Sequence, residues 1–143
     1  MPYSTLDDLK KPLPEKNIIE LTDDDGLGVV DQTKVDEAIA YADQLIDGYL
    51  RGRYSLPLST VPGLIKQLSV DLAIFHLYGR RFEMELPEGI MARYKNAIKL
   101  LEQIQKGLIS LGIESASTGS QGIYKSNKTS DDRTFSKDIL DTF

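Results

Sequence analysis

His76 is the only side chain in this chain with the ordinary pKa of a catalytic base at neutral pH. It lies between Phe75 and Leu77 in a strongly apolar segment. Without a second histidine or any cysteine, the usual ligand sets for a transition metal cannot be assembled. A serine-centred triad would also lack the GxSxG elbow that exposes its nucleophile. We therefore expect His76 to be a structural residue with a satisfied hydrogen bond, and the protein not to be an enzyme.

The second feature that suggests chemistry is the acidic run from Asp23 to Asp25, which Gly26 follows. A calcium-binding EF-hand loop needs oxygen ligands at positions one, three and five, glycine at six and glutamate at twelve. With Gly26 at position six, position one is Leu21 and position twelve is Gln32, so the pattern fails. We expect a solvated acidic turn. Since phosphate-binding glycine motifs are also absent, we expect no metal and no cofactor.

The sequence contains few signals that would indicate a cellular compartment or a membrane location. The absence of cysteine excludes disulfides and fits a reducing site of synthesis. No apolar run approaches the roughly 20 residues that span a bilayer. The opening MPYSTLDD has neither a basic region nor an apolar stretch. We expect a soluble, unprocessed chain without a membrane partner.

Tyrosine and arginine side chains are the better candidates, because both are enriched where interfaces contribute most binding energy. The pattern predicts five half-exposed tyrosines: Tyr41, Tyr49, Tyr54, Tyr78 and Tyr94. The predicted interface residues in this part of the chain are Tyr49, Arg51, Arg53, Tyr54, Arg80 and Arg81. Two other interpretations stay open. The tyrosines close the core, or the arginines pair with carboxylates, either within the fold or across an interface.

The charge is distributed unevenly beneath a net value of −5. Residues 1–50 contain twelve acids and four lysines, a balance of −8, whereas residues 51–106 contain nine bases and five acids, a balance of +4. The acidic part of one copy can meet the basic part of the next, which favours head-to-tail over two-fold contacts. The alternative is a nucleic-acid-binding accessory protein that uses the basic region Arg51–Arg93, although the overall acidity opposes tight duplex binding.

Helical periodicity predicts the elements that position these residues. Apolar residues recur at spacings of three and four from about Thr33, and this helix should end near Arg53 or Tyr54. Another long helix should run from Pro87 to Gly107. The apolar residues after it should pack back onto the body: Leu108, Ile109, Leu111 and Ile113.

Between those two helices, the segment from Pro62 to Gly79 is apolar on nearly all sides. Such a helix is buried among others, so we predict that it is the central core helix. Ser59 or Thr60 is its predicted cap.

Two short helices are predicted before the long ones. Ser4 and Asp7 have the spacing of a capping box, and the helix they begin must end before Pro12. Pro14 then begins a helix over about Glu15–Leu21. The predicted fold is all-α: a small bundle of three longer helices with two short N-terminal helices.

The composition changes after residue 113, which we predict ends the helical domain, 1–113. Residues 115–132 are rich in Ser, Gly, Thr and Lys and cannot bury enough apolar area to become ordered. We expect residues 114–143 to form a flexible tail with a terminal apolar motif that docks on a neighbouring subunit or partner. The alternative is that the motif folds back on its own domain. The predicted contacts of the tail are Arg133, Phe135, Leu140 and Phe143.

Many residues in the block 47–81, and some near the C-terminus, follow one another in an order and spacing that are specific as a set. They are Asp47, Tyr49, Leu50, Arg53, Tyr54, Leu56, Pro57, Leu58, Val61, Pro62, Asp71, Leu72, Ala73, Leu77, Tyr78, Arg80, Arg81, Arg133, Phe135, Asp138 and Leu140. With the opening YSTLDDL and the LTDDDG loop, they make the chain resemble the Mu-like prophage family of small head–tail joining proteins.

The resemblance implies a virion protein of a tailed phage or prophage, synthesised in the cytoplasm of the bacterial host. Such a protein is a head–tail connector, or head-completion adaptor. It would form a homo-oligomeric ring between the portal protein and a tail-side joining protein. DNA would pass through the channel without specific binding, and the subunits would stay monomeric until assembly. The resemblance implies no catalytic residue.

Overall fold

The computed structural model describes residues 2–81 and 83–113, and over these residues it contains five α-helices and no β-strand. The all-α prediction is therefore confirmed. The predicted tail, with Arg133, Phe135, Leu140 and Phe143, lies outside the described residues. The helices are α1 (Leu6–Lys10), α2 (Glu15–Thr22), α3 (Gln32–Leu50), α4 (Gly63–Gly79) and α5 (Glu88–Gln105).

Helix α4 is the centre of the fold, as its all-round apolar sequence predicts. It packs against α3 and α5 along its length and also contacts α1 and α2. A helix that is apolar on every side must be covered on every side, so the other four helices are arranged around it. Its buried apolar side chains are Ile65, Leu68, Val70, Leu72, Ala73, Ile74, Leu77 and Tyr78.

Helices α3 and α5 each contribute one apolar face to this core. The buried face of α3 is Val35, Ala38, Ile39, Ala42, Ile46 and Leu50, and that of α5 is Ala97, Leu101 and Ile104. Asp31 caps α3 by accepting hydrogen bonds from the backbone N–H of Thr33 at 3.0 Å and of Lys34 at 3.4 Å. The predicted end of α3 near Arg53 is wrong: Arg51 is already extended and Gly52 has φ +94°, so the helix ends at Leu50.

Two predicted helix caps are also wrong. The capping box of α1 is formed by Thr5 and Asp8, one residue later than predicted. The hydroxyl of Ser4 is used elsewhere, because it is buried 2.7 Å from the hydroxyl of Ser69 on α4. At α4 the N-cap is Pro62, with no side-chain hydrogen bond, rather than Ser59 or Thr60. The fixed φ of proline supplies the entry geometry there.

The segment after α5 returns to the body, with one exception to the prediction. Ile109, Leu111 and Ile113 pack against the core, whereas Leu108 is 73% exposed. Gly107 has φ +83° and reverses the chain direction after α5, which leaves Leu108 outside the packed face.

Truncation of the central helix tests this architecture. Leu72 on α4 is fully buried, so Leu72→Ala should lower the free energy of unfolding by about 2–5 kcal/mol through lost apolar burial and a cavity. Urea denaturation followed by circular dichroism at 222 nm measures it. The matched control is Leu108→Ala, which should change the free energy of unfolding by less than about 0.5 kcal/mol. Similar losses in the two variants would contradict the central position of α4.

Candidate interaction surfaces

Arg80 and Arg81 lie at the C-terminal end of α4 and bind the loop between α2 and α3. Arg80 donates from Nη1 to the carbonyl oxygen of Leu21 at 2.6 Å, and its Nη2 pairs with Oδ2 of Asp24 at 2.6 Å. Arg81 Nη2 pairs with Oδ1 of Asp24 at 3.0 Å and donates to the carbonyl oxygen of Asp23 at 3.1 Å. We call these contacts the arginine clamp. Both arginines therefore follow the interpretation in which they pair with carboxylates within the fold.

The clamped loop, residues 23–31, is called here the acidic loop. The carboxylate of Asp23 accepts hydrogen bonds from the backbone N–H of Leu27 at 2.9 Å and of Gly28 at 2.7 Å. These hydrogen bonds lower the pKa of Asp23. Gly26 and Gly28 have φ of +74° and +76°, the left-handed conformation that glycine adopts without strain. Asp23 thus accepts hydrogen bonds from backbone amides, and Asp24 forms the ion pairs of the arginine clamp.

The acidic loop also presents apolar side chains to solvent. Leu27 is 72% exposed and Val29 is 58% exposed, two of the largest apolar exposures in the described residues. Asp25 lies beside them and is exposed as well. The predicted solvated acidic turn is therefore also an exposed apolar segment.

The predicted contact zone at the end of α3 divides between surface and core. Arg53 donates from Nε to the carbonyl oxygen of Gln105 at 3.0 Å, which places a cation at the C-terminus of α5. Tyr54 is only 7% exposed, and its hydroxyl accepts a hydrogen bond from the N–H of Leu111 at 3.0 Å. For Tyr54 the structure thus favours the interpretation in which tyrosines close the core.

The other two members of this predicted zone differ from each other. Arg51 is exposed, and Tyr49 is half-buried against the core. The two residues therefore remain accessible to a partner to different extents.

The remaining aromatic predictions are partly wrong. Tyr78 is buried at 8% exposure rather than half-exposed, because it lies on the all-round apolar helix. His76 stacks on Tyr41 with ring centroids 4.4 Å apart, and Phe75 stacks on Tyr94 at 3.8 Å. Burial, and secondarily the charge of Arg80, lower the pKa of His76, which favours a neutral packing residue.

A groove beside α1 carries most of the accessible positive charge near the start of α4. It has a volume of about 530 Å³, and we call it the basic groove; its lining is Asp8, Lys11, Pro12, Gly63, Lys66, Gln67, Val70 and Arg93. The ammonium groups of Lys11 and Lys66 lie 3.6 and 3.8 Å from one carboxylate, that of Asp8. Arg93 pairs with Asp71 at 3.2 Å. Three cations thus share two carboxylates.

Burial opposes ionisation of Asp8, but hydrogen bonds from Thr5 and the two lysines outweigh it, so the pKa of Asp8 is lowered. The carboxylate is therefore ionised at neutral pH and still leaves the groove with excess positive charge.

A second groove, on the α3 side of the N-terminal segment, has the opposite charge. Its volume is also about 530 Å³, and its lining includes Asp36, Asp43 and Asp47 and no lysine or arginine. Asp43 accepts hydrogen bonds from the N–H of Tyr3 at 2.9 Å and from the hydroxyl of Ser69 at 2.7 Å, and Asp47 accepts from the hydroxyl of Tyr3. Burial raises the pKa of Asp43. We call this surface the acidic groove.

Two kinds of site are absent from the part of the chain that the structure describes. Residues 2–81 and 83–113 contain no group of three or more His, Asp or Glu side chains that could hold a metal ion. Within the same ranges, no helix combines the length and the apolar character needed to cross a membrane.

Comparison with protein families decides the relationship of the chain. A family model described as "Bacteriophage Mu, Gp36" matches residues 3–125, most of the chain. The chain belongs to this Gp36 family. The Mu-like phage relationship predicted from the sequence is confirmed, and the matched range ends before the predicted docking motif of the tail.

Two curated relatives are similar to this Gp36-family chain over more than half of its length. "Gene product J" of Escherichia phage Mu is 37% identical over 93 residues, which cover 65% of this chain and 63% of the relative. "Mu-like prophage FluMu protein gp36" of Haemophilus influenzae is 38% identical over 84 residues, which cover 59% of this chain and 57% of the relative. The chain therefore aligns with about three-fifths of the length of these curated relatives.

Sequence reasoning missed the basic groove and the apolar tip of the acidic loop in this Gp36-family protein. Lys11 is assigned to the acidic half by sequence position, and only the fold brings it beside Lys66 and Arg93. The loop carried a visible signal, since Leu27 and Val29 are apolar residues on either side of a glycine in a polar connection. Single exposed apolar residues are common on protein surfaces, whereas neighbouring ones that form a patch mark interaction sites.

Removal of the clamp should loosen the acidic loop. Arg80 is 20% exposed and Asp24 is 41% exposed, so solvent screens the pair only in part. Arg80→Ala should lower the free energy of unfolding by roughly 1–2 kcal/mol and accelerate hydrogen exchange at Leu27 and Gly28. Urea denaturation and amide exchange measure the two effects. Arg51→Ala, at an exposed arginine, is the control. Equal effects of both substitutions would argue against the clamp.

The loop should also respond to acid. The folded pKa of Asp23 lies below its ordinary value of 3.8, so the stabilisation from its carboxylate is fully present above about pH 4 and is lost as the pH falls through the folded pKa. In an NMR titration, the amide shifts of Leu27 and Gly28 should therefore change with a midpoint below 3.8. The Asp23→Ala variant should lack this step. A midpoint at or above 3.8 would contradict the two hydrogen bonds.

Proposed function

We propose that this Gp36-family protein is a structural virion protein that joins the head of a Mu-like phage or prophage particle to its tail. It acts as the subunit of a connector, or adaptor, ring between the portal protein and a tail-side joining protein. Membership in a family with relatives in phage Mu and in a Mu-like prophage is the observation that carries the proposal. The resemblance of the 47–81 block to head–tail joining proteins supplies the specific role.

The distribution of charge supports a role in assembly. The acidic groove flanks α3, whereas the basic groove lies between α1, α4 and α5, so two unlike surfaces occupy different sides of the N-terminal segment. Unlike, complementary surfaces on one chain favour heterologous contacts, which close into rings or continue as filaments. A two-fold dimer would instead need one self-complementary patch.

The proposed partners follow from this role. The protein forms a homo-oligomeric ring on assembly and remains monomeric in isolation. It contacts the portal protein on one side and the tail-side protein on the other, while DNA passes through the channel without specific binding. Residues 114–143 dock on a neighbouring subunit or partner through Arg133, Phe135, Leu140 and Phe143. The protein is made in the bacterial host and ends in the virion.

The alternative of nucleic-acid binding through Arg51–Arg93 receives less support. Arg80 and Arg81 are paired with Asp24, and Arg93 is paired with Asp71. Paired guanidinium groups release fewer counterions from a phosphate backbone, which weakens the electrostatic part of binding.

Particle production tests the proposed function. A phage or induced prophage with an early stop codon in this gene should produce DNA-filled heads beside unattached tails in electron micrographs. The wild-type gene supplied from a plasmid should restore complete virions and is the control for effects on neighbouring genes. Intact, infectious virions without the protein would overturn the connector function.

A further inference from the structure

The acidic loop combines apolar and negative groups in one exposed segment. Leu27 and Val29 are 72% and 58% exposed, and the exposed carboxyl of Asp25 lies two residues before the first of them. Water contact with two large apolar side chains is unfavourable, and a partner that covers them regains this energy. The partner must therefore present an apolar surface with positive charge around it.

The acidic loop is also held in one conformation before any partner binds. Asp23 fixes its first turn, the arginine clamp holds it to α4, and the hydroxyl of Thr22 accepts a hydrogen bond from the N–H of Asp31 at 3.1 Å. A loop fixed at both ends loses little conformational entropy on binding. The acidic loop therefore exposes its apolar side chains in a fixed conformation, as a binding element does.

The basic groove has the chemistry that this loop requires. Pro12 supplies apolar lining, with a small contribution from Val70, which is 4% exposed, and the side chains of Lys11, Lys66 and Arg93 are 77%, 51% and 48% exposed. Its cations exceed the carboxylates that serve them, so an additional carboxylate such as that of Asp25 is attracted. The groove is concave, and the loop exposes the side chains that could enter it.

The two surfaces lie at opposite ends of α4. The acidic loop is held by Arg80 and Arg81 at the C-terminal end, and the basic groove includes Gly63 and Lys66 in the first turn. The fourteen residues from Lys66 to Arg80 span about 21 Å at 1.5 Å per residue. The clamp keeps the loop at its own end, so the loop cannot reach the groove of the same copy.

We propose that the acidic loop of one copy binds the basic groove of a second copy, with Leu27 and Val29 on the apolar lining and Asp25 beside Lys66. This inference rests on the proposed ring and names the contact between its subunits. Each copy provides one loop and one groove at opposite ends of α4, so the contact repeats head to tail.

Disulfide mapping tests the contact directly, because the chain has no native cysteine. Leu27→Cys supplies the loop thiol. Gly63→Cys supplies the groove thiol, since Gly63 is exposed and a Cβ there meets no atom within 4 Å. Oxidation of the full-length double variant should produce a ladder of covalent oligomers on a non-reducing gel. Mixed single variants should give only the dimer between one Leu27→Cys chain and one Gly63→Cys chain.

The matched control moves the first thiol to another acidic surface. Ala40 is exposed and lines the acidic groove, so Ala40→Cys with Gly63→Cys should give at least about tenfold less ladder if the loop is the specific element. Equal ladders from both pairs would overturn the proposal, because they would indicate unspecific attraction between acidic and basic surfaces.

A charge exchange supplies the second test. Asp25→Lys or Lys66→Glu alone should reduce the cross-linked fraction about tenfold by placing like charges together. Both changes in one chain should restore it to within about threefold of the starting value. Lys11 remains beside Asp8 in these variants, and circular dichroism checks that they fold. A combined variant no better than the single ones would overturn the proposed pairing.

The same oxidation, in concentrated purified protein and in purified virions, separates this inference from the proposed function. Protein present in virions with no Leu27–Gly63 cross-link would overturn the contact and leave the connector function standing. A ladder in purified protein, with the protein itself missing from virions, would support the self-contact and argue against the connector function. A ladder in virions supports both, and no ladder with no protein in virions overturns both.

Discussion

The burial of α4 is the constraint on which the rest of the structure depends. Because this helix is apolar on nearly every side, no single neighbour can cover it, and α3, α5 and the N-terminal helices are all required. Its two buried polar residues then limit how these elements can be placed. Ser69 joins Ser4 to Asp43, and Asp71 joins α4 to Arg93 on α5. Since a buried polar group without a partner destabilises the fold, these contacts fix the register of the bundle.

Polar contacts between distant residues also explain the positions of Arg80 and Arg81. Helix α2 is short but buries Ile18 and Leu21 completely in the core, and polar contacts add to this burial in fixing its position. Arg80 supplies such a contact by binding the carbonyl oxygen of Leu21 at the end of α2 together with Asp24. Arginine suits this task because its planar group donates in several directions at once. The charges of Arg80 and Arg81 are thereby used inside the fold, whereas Lys11 and Lys66 remain accessible at the basic groove.

Local patterns in the sequence were sufficient to predict the helices but not the interaction surfaces. Periodicity located α3 and α5, the all-round apolar sequence located α4, and proline and capping signals located the two short helices. The cap of α1 was displaced from Ser4 to Thr5 because the Ser4 hydroxyl is taken by Ser69, a residue 65 positions away. The sequence likewise did not predict which carboxylate Arg80 pairs with, since Arg80 and Asp24 are 56 positions apart. Contacts between distant residues depend on the packing of whole helices, which spacing along the chain does not encode.

A contact of the proposed kind would also reconcile the proposed monomer in isolation with the proposed ring on the particle. The side chains of Lys11, Lys66 and Arg93 are about half exposed or more, so water screens the ion pair that an arriving carboxylate adds, and this pair contributes little. Most of the favourable energy then comes from two apolar side chains, which is small beside the cost of joining two free proteins. Once a portal holds the copies side by side, each further contact is effectively intramolecular, and weak contacts suffice to close the ring. A weak, asymmetric contact of this kind would thus restrict assembly of the ring to the portal.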